Sequence, residues 1–241
     1  DDLLYVLNGG GVNNISGFRI QDNGTLLPIA GSTRPLSAAA TGPAQIEFDR
    51  EGEVLVVTEK ATNKIDIFPV ENGVAQPAKV RNSVGATPFG FAFDKRDHLL
   101  VSEAFGGALN ASATTSYNVE EDWAELQTIS PSVKTNQSAA CWVVTTRNGR
   151  YAYVSNTGSG SISGYTISRN GSLALLNADG KTGVTGANPT DMALSRNSQY
   201  LYVITPANGV LNAFKVGANG SLTSISGANG IPASAVGLAA R

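Results

Sequence analysis

The sequence predicts an all-β chain built from five copies of a four-stranded sheet, the unit of a β-propeller. An aromatic position recurs about every 49 residues, and an apolar position after a turn keeps the same period. A repeat of this length that holds several short strands is typical of a propeller blade. The aromatic positions are Phe18, Phe68, Tyr117, Tyr165 and Phe214, and the apolar ones are Leu26, Val74, Trp123, Leu173 and Leu222.

Each copy divides into four predicted strands, named A to D in chain order. Strand A is a short apolar run such as Phe91-Ala-Phe93, and strand B is β-branched or aromatic, as in Ala152-Tyr-Val154. Strand C alternates apolar and polar residues, most clearly over Ile162–Ile167. Strand D follows an Asn-Gly pair in four copies, and that pair is a strong hairpin signal. These pairs are Asn23-Gly24, Asn72-Gly73, Asn170-Gly171 and Asn219-Gly220.

We expect one domain over residues 1–241. The chain starts almost directly at a strand B, so its first copy lacks strand A. The C-terminal segment 232–241 resembles 189–196, a strand A, and is expected to complete the first blade and remove an exposed sheet edge. The expected blades are approximately 1–40 with 232–241, then 41–85, 86–138, 139–187 and 188–231.

Composition narrows the classes of partner. Charged residues make up 15% of the chain and the net charge is −2, which gives no cationic field for nucleic acid. No apolar run is long enough for a membrane helix, and no signal peptide is present in the chain, so membrane insertion is not expected. Sparse charge with many polar turn residues favours a secreted or periplasmic protein. The single cysteine, Cys141, lies in an apolar run and is interpreted as a core residue; neither cofactor nor metal is expected.

The segment Tyr151–Leu173, with Leu201-Tyr-Val203, resembles the lactonase-type propellers that overlap the YVTN repeats. That group is similar to the propeller 6-phosphogluconolactonases and the carboxymuconate-lactonizing enzymes. Its members usually have seven blades, whereas this chain holds five copies. Two accounts stay open: a fragment of a seven-bladed ring whose N-terminal blades are absent, or a genuine five-bladed ring.

The residues that follow strand B are candidates for a site at the channel mouth, because strand B returns to that face. A pair of carboxylates there could perform acid–base chemistry or hold a divalent cation. The alternative is that these carboxylates satisfy backbone donors in turns. The five positions are Asn8, Glu59, Glu103, Asn156 and Thr205.

The resemblance implies a catalytic Glu after strand B, an Arg before strand A and a His from the preceding blade. Glu59 and Glu103 match the Glu, but the residues that lead into their strands A include neither Arg nor His. Arg34 is the nearby cation with a plausible reach, and His98 is expected on the opposite face. Trp142, at the start of a strand A, is a candidate ligand-stacking ring, with core packing as the alternative.

Two functions are therefore expected. The first is a non-catalytic exported scaffold that binds a small lactone or sugar acid, or a protein partner. The second is a lactone hydrolase or lactonizing isomerase with its carboxylates at the channel mouth. The sequence leaves open whether the protein is an enzyme.

Overall fold

A computed structural model describes residues 2–120 and 126–240. Asp1, the repeat position Trp123 and Arg241 therefore lie outside the described residues. The chain forms two compact units, and each is described by itself. Unit 1 comprises residues 1–83 and 119–126, and unit 2 comprises residues 84–118 and 127–241. No helix in the described ranges is long and apolar enough to cross a membrane.

Unit 1 contains two antiparallel sheets. In the first, β1 provides strand B and β2 strand C, and β3 and β4 both pair with β2. In the second, β5, β6 and β7 provide strands A, B and C, and β8 and β9 pair with opposite ends of β7. The strands are β1 (Leu3–Asn8), β2 (Asn14–Ile20), β3 (Leu26–Pro28), β4 (Arg34–Pro35), β5 (Pro43–Phe48), β6 (Val54–Glu59), β7 (Lys64–Glu71), β8 (Val74–Ala75) and β9 (Lys79–Asn82).

Unit 2 contains the third, fourth and fifth sheets, apart from the end residues Val119 and Leu126. Short 3-10 turns follow two of the B strands, at Phe105–Gly107 and Pro206–Asn208. The strands are β10 (Pro88–Phe93), β11 (His98–Glu103), β12 (Ala113–Val119), β13 (Leu126–Lys134), β14 (Ala140–Thr145), β15 (Tyr151–Asn156), β16 (Ser161–Ile167), β17 (Leu173–Leu175), β18 (Gly183–Val184), β19 (Asp191–Leu194), β20 (Tyr200–Thr205), β21 (Val210–Val216) and β22 (Leu222–Asn229).

The predicted fold class is confirmed: the structure is all-β, with five antiparallel sheets of four or five strands whose neighbours follow chain order. The sequence predicted one strand D in each sheet. In the first, second and fourth sheets strand D instead consists of two short pieces that pair with strand C.

The recurring aromatic side chain occupies one register position in every sheet. It lies on strand C, opposite the first residue of the strand B triplet, as in Leu55 opposite Phe68 and Leu201 opposite Phe214. Alternate side chains of strands B and C pack between successive sheets of a unit, in clusters that include Phe68, Tyr165 and Phe214. The aromatic period in the sequence therefore marks the side chains that fill these cores.

Within each unit the Asn-Gly turn between strands C and D touches the preceding sheet. Gly73, Gly171 and Gly220 all have φ near +80°, which only glycine adopts readily. A Cβ on Gly220 would lie 2.6 Å from the Tyr151 ring, and one on Gly171 would lie 2.7 Å from the His98 ring. Glycine is thus required twice, for the turn and for the approach of the sheets.

A side-chain hydrogen bond holds each of these glycine carbonyls. The Tyr5 hydroxyl donates to Gly73 O at 3.0 Å, and the equivalent Tyr153 hydroxyl donates to Gly220 O at 2.8 Å. The third sheet has Leu100 at this strand B position, and its cross-strand partner Ser116 donates to Gly171 O at 2.8 Å instead. The same link between sheets is therefore made from either strand of the pair.

The predicted closing strand over 232–241 is corrected by the structure. No strand is present from 232 to 240, and Val236 is 75% exposed. The backbone N–H of Leu238 donates to the Asp191 carboxylate at 2.7 Å rather than to a strand carbonyl. A segment rich in Ala and Gly offers little apolar surface to hold a strand in register.

We expect Tyr153→Phe to lower the free energy of unfolding of unit 2 by about 1–2 kcal/mol, because the buried Gly220 carbonyl would lose its side-chain donor. Denaturant unfolding followed by fluorescence measures the change. Tyr202→Phe is the matched control, since Tyr202 occupies the same position in the fifth sheet and its hydroxyl has no hydrogen-bond partner in the described ranges. Equal losses in the two variants would contradict the prediction.

Candidate functional site

The five residues predicted to follow strand B form the last residue of that strand in every sheet. Strand B ends at each of them because the chain turns there toward strand C. Four of them are fully buried, at 0% exposure, and Asn8 is half-buried. They are Asn8 in β1, Glu59 in β6, Glu103 in β11, Asn156 in β15 and Thr205 in β20.

Each of these residues contacts a polar residue on strand C of its own sheet, and Asn8 and Asn156 also contact the residue directly opposite them, Asn14 and Ser161. The partner lies opposite the strand B residue two positions earlier, so the pair is diagonal across the two strands. Glu103 Oε1 accepts from Thr115 Oγ1 at 2.5 Å, and Asn156 donates to Ser163 Oγ at 2.8 Å. The five pairs are Asn8 with Ser16, Glu59 with Asp66, Glu103 with Thr115, Asn156 with Ser163, and Thr205 with Asn212.

The pair in the second sheet consists of two buried carboxyl groups. Glu59 Oε1 accepts from the Ser37 N–H at 2.9 Å, and Oε2 accepts from Ser37 Oγ at 2.5 Å and from Thr62 Oγ1. Asp66 Oδ2 accepts from the same Ser37 N–H at 3.2 Å. Both carboxyls therefore fix the loop that enters strand A of this sheet.

Burial, and next the hydrogen bond and charge of Glu59, raise the pKa of Asp66 from 3.8 to about 8. Oδ1 of Asp66 is buried, and no donor in the described residues is directed at it. The raised pKa keeps a proton on Asp66 at neutral pH, beside the Glu59 carboxyl.

Sequence reasoning missed Asp66. The sequence did carry a signal, because Asp66 lies inside the otherwise apolar run Ile65-Asp-Ile-Phe68 of strand C. A charged side chain is rarely buried in such a run unless it has a partner. Its register opposite Val57 then sets it diagonal to Glu59. Only the strand pairing reveals that relation.

Glu103 occupies the equivalent position in unit 2 with neutral partners. Oε1 accepts from the Gly85 N–H at 2.8 Å and from Thr115, and Oε2 accepts from Ser132 Oγ at 2.5 Å. A Cβ on Gly85 would lie 2.1 Å from Oε2 of Glu103. Glycine at 85 therefore lets the loop before β10 close over the carboxylate.

Arg34 and Trp142 are engaged elsewhere. The Arg34 guanidinium donates to the carbonyls of Gly31 at 2.6 Å and Thr33 at 3.1 Å, and no contact in the described residues joins it to Glu59. Trp142 lies in a bulge of β14, where its half-buried ring meets Phe89 edge-on at 5.5 Å. Their roles as catalytic cation and stacking ring stay predictions.

Asn156 and Thr205 are fully buried, and both use their side chains inside the sheet. Asn156 donates to Ser163, while Thr205 Oγ1 donates to Val210 O at 3.1 Å and accepts from Asn212. Oδ1 of Asn156 has no partner in the described ranges. Ligand contact by these two residues is a prediction that would require the covering loops to move.

His98 begins β11, the strand that Glu103 ends, so these two residues lie at opposite ends of one strand. Its Nδ1 lies 3.0 Å from Asp94 Oδ2. The N–H groups of Arg96 and His98 also donate to Asp94, at 2.6 and 3.0 Å. The Asp94–His98 pair therefore organises the turn between strands A and B.

Glu47, on strand A of the second sheet, is a further carboxyl that sequence reasoning missed. It lies opposite Val56, and the equivalent position in the other strands A is apolar: Ala92, Val144 and Ala193. Solvent reaches Glu47, yet desolvation by the surrounding protein raises its pKa to about 7. Gln45 Nε2 donates to it at 2.8 Å and opposes part of that rise.

The described residues contain no group of three or more His, Cys, Asp or Glu side chains arranged to hold a metal ion.

A match to a known protein family identifies the family of this chain. Residues 109–237, more than half of the chain, match the sequence model of the family described as lactonase, seven-bladed β-propeller. The chain belongs to the lactonase family. No curated protein sequence matches it significantly.

Solved structures similar to this lactonase-family chain share its fold at low identity. The periplasmic gluconolactonase of Pseudomonas aeruginosa superposes with a TM-score of 0.77 at 18% identity, over 95% of this chain and 69% of its own. A candidate 6-phosphogluconolactonase of Bacteroides uniformis gives 0.77 at 16% identity, over 95% of this chain and 68% of its own. A protein of Lactobacillus plantarum gives 0.80 at 15%, over 96% and 69%. At such identities the likeness establishes the fold alone.

We expect the stability of unit 1 to fall as pH rises from about 4 to about 8. The folded state keeps a proton on Asp66 that the unfolded state loses in this window, and the contribution of Asp66 is constant above and below it. Asp66→Asn removes the titrating group. At pH ~9 the free energy of unfolding of the variant should therefore exceed that of the wild type by at least ~1 kcal/mol. Unfolding measured across pH tests this. Parallel curves for the two proteins would contradict it, and exposed Asp22→Asn is the control.

We expect Gly85→Ala to destabilise unit 2 by about 1–3 kcal/mol, because the added methyl group displaces the Glu103 carboxylate from its donors. We expect Glu103→Ala to lower the free energy of unfolding less in the Gly85→Ala variant than in the wild type. A double-mutant cycle by denaturant unfolding measures this coupling. Gly237→Ala, with no neighbour within 4 Å of its Cβ, is the control. Additive losses would argue against the contact.

Proposed function

We propose that this lactonase-family chain acts as a binding scaffold without turnover at the ends of its B strands. The observation that carries the proposal is the state of Glu59 and Glu103. Both are 0% exposed, and both oxygens of each accept hydrogen bonds from the protein. A general acid or base must come within hydrogen-bond reach of the substrate, and these carboxylates have no free face for one.

The scaffold contacts its ligand or partner through the loops between strands B and C. Val12, 64% exposed, lies on such a loop in unit 1. In unit 2, Leu109 is 84% exposed on the equivalent loop, and Val184 is 66% exposed beside the same end of β16. Exposed aliphatic side chains at loop tips suit a protein partner or the carbon skeleton of a lactone or sugar acid.

Export to the periplasm or the cell exterior is part of this proposal. It is supported by the low charge content of the chain and by its likeness to a gluconolactonase described as periplasmic. Fractionation of source cells with an antibody against the protein tests it. Recovery in the cytoplasmic fraction alone would oppose export.

The second candidate function is lactone hydrolysis, which Glu47 favours. A carboxyl with a pKa of about 7 that solvent reaches is present in both protonation states at neutral pH. As a general base, Glu47 would take a proton from a water molecule while the oxygen of that water attacks the lactone carbonyl. The ring C–O bond then breaks, and the leaving alkoxide takes up the proton that Glu47 received, which gives the hydroxy acid and regenerates the carboxylate. Gln45, bonded to the carboxylate, would orient it.

The test is turnover of glucono-δ-lactone and related lactones, followed by pH-stat titration against the uncatalysed rate. We expect no acceleration by the wild type, and Glu59→Gln and Glu103→Gln should alter stability alone. Acceleration that rises through about pH 7 and disappears in Glu47→Gln would establish the second candidate instead. Activity that survives in Glu47→Gln but is lost in Glu59→Gln or Glu103→Gln would contradict both accounts.

A further inference from the structure

The two units carry opposite charge. Unit 1 contains seven Lys and Arg against fourteen Asp and Glu, whereas unit 2 contains ten Lys and Arg against five Asp and Glu. The near-neutral total of −2 therefore hides a basic unit 2. Of its acidic residues, Glu103 is buried among donors and Asp94 is paired with His98.

Unit 2 has a cleft of about 460 Å³ at the end of its strands remote from Glu103, Asn156 and Thr205. The turn between strands A and B of the fourth sheet forms one wall, and the corresponding turn of the fifth sheet forms another. The turn between strands C and D of the fifth sheet completes it, at 216–218.

Hydrogen bonds between the turns fix the shape of the cleft. The Arg147 backbone N–H donates to Ser198 Oγ at 2.9 Å, and the Tyr151 hydroxyl donates to Ala218 O at 2.8 Å. The first joins the two A–B turns, and the second joins the fourth sheet to the C–D turn. The three walls are thus linked before any ligand arrives.

The side-chain oxygens of the two Asn residues in the cleft are occupied, which leaves their amide donors. Asn148 Oδ1 accepts from Thr146 Oγ1 at 2.8 Å and from the Arg150 N–H at 3.0 Å. Asn197 Oδ1 accepts from Ser195 Oγ at 2.8 Å and from the Gln199 N–H at 3.0 Å. The NH₂ groups of both amides have no partner in the described ranges and remain available as donors.

Two further donors line the same cleft. Ser198 Oγ accepts the Arg147 N–H, so its own O–H can point outward. The exposed Arg147 guanidinium makes no hydrogen bond or ion pair with any described residue. Arg150 does not line the cleft, but its guanidinium lies 5.5 Å from the centre of the ring of Tyr151, which does. Among the residues that the structure describes, none that lines the cleft is acidic.

We propose that this cleft binds a small molecule through a phosphate or carboxylate group. Arg147 would make the charge-assisted hydrogen bonds, and Asn148, Asn197 and Ser198 would complete the donor set around the oxygens. The cleft is larger than a bare phosphate or carboxylate ion, so the anionic group would be part of a larger polar molecule. The rest of that molecule would lie along Tyr151. This site is separate from the channel-mouth loops, and it does not depend on turnover.

The test is titration of the full chain with inorganic phosphate, gluconate and uncharged glucose, followed by calorimetry and by amide NMR shifts. We expect phosphate or gluconate, or both, to bind and to shift the amides of Arg147 and Ser198, while glucose does not. Binding of only one anion assigns the natural ligand to that chemistry. Arg147→Gln should weaken binding by about tenfold or more.

Lys181→Gln is the matched control, since it removes an exposed cation of unit 2 that does not line the cleft. It should leave the affinity unchanged, and both variants should unfold at the wild-type denaturant midpoint. If the two variants lost affinity equally, the anion would be responding to the net positive charge of unit 2 and not to this cleft. That result would overturn the proposal. Absence of binding by either anion, or binding unchanged in Arg147→Gln, would also overturn it.

Discussion

Neighbouring sheets within each unit meet at the glycine of the turn between strands C and D. That glycine adopts φ near +80° and packs where a Cβ would collide with a side chain of the preceding sheet. Its carbonyl accepts from Tyr5 or Tyr153, or from Ser116 where strand B carries Leu100. The aromatic cores between sheets can close only because this approach is permitted and its polar group is satisfied.

The other end of each sheet depends on buried polar pairs between strands B and C. Burying a carboxylate is costly unless it accepts hydrogen bonds, and Glu59 and Glu103 accept them from the loops that enter their own sheets. The second sheet differs because Asp66 supplies a second carboxyl, which keeps a proton to neutral pH. These contacts position the loops between sheets and leave the carboxylates out of reach of solvent, which is why a binding role is proposed ahead of a catalytic one.

The two ends of the sheets in unit 2 consequently differ in chemistry. At the end of strand B, hydroxyl and amide groups bond to one another inside the sheet. At the opposite end, the short turns use their Asn oxygens to close themselves and direct amide donors outward beside Arg147. Because the Asn oxygens close these turns, the Asn NH₂ groups are left as donors that line the cleft. The same Asn residues that signal turns in the sequence thus create the surface proposed to bind an anion.

The sequence by itself determined the all-β class, the five sheets and the strand B ends, because aromatic spacing and Asn-Gly turns are local signals that recur once per sheet. It also located Glu59 and Glu103. It could not reveal Asp66 as the partner of Glu59, since a diagonal relation depends on strand register. It also assigned a strand to 232–241, whereas the structure has no strand over 232–240 and the Leu238 N–H donates to Asp191. Burial and the pKa values of Glu47 and Asp66 were decided by tertiary structure alone, because desolvation depends on atoms brought in from distant parts of the chain.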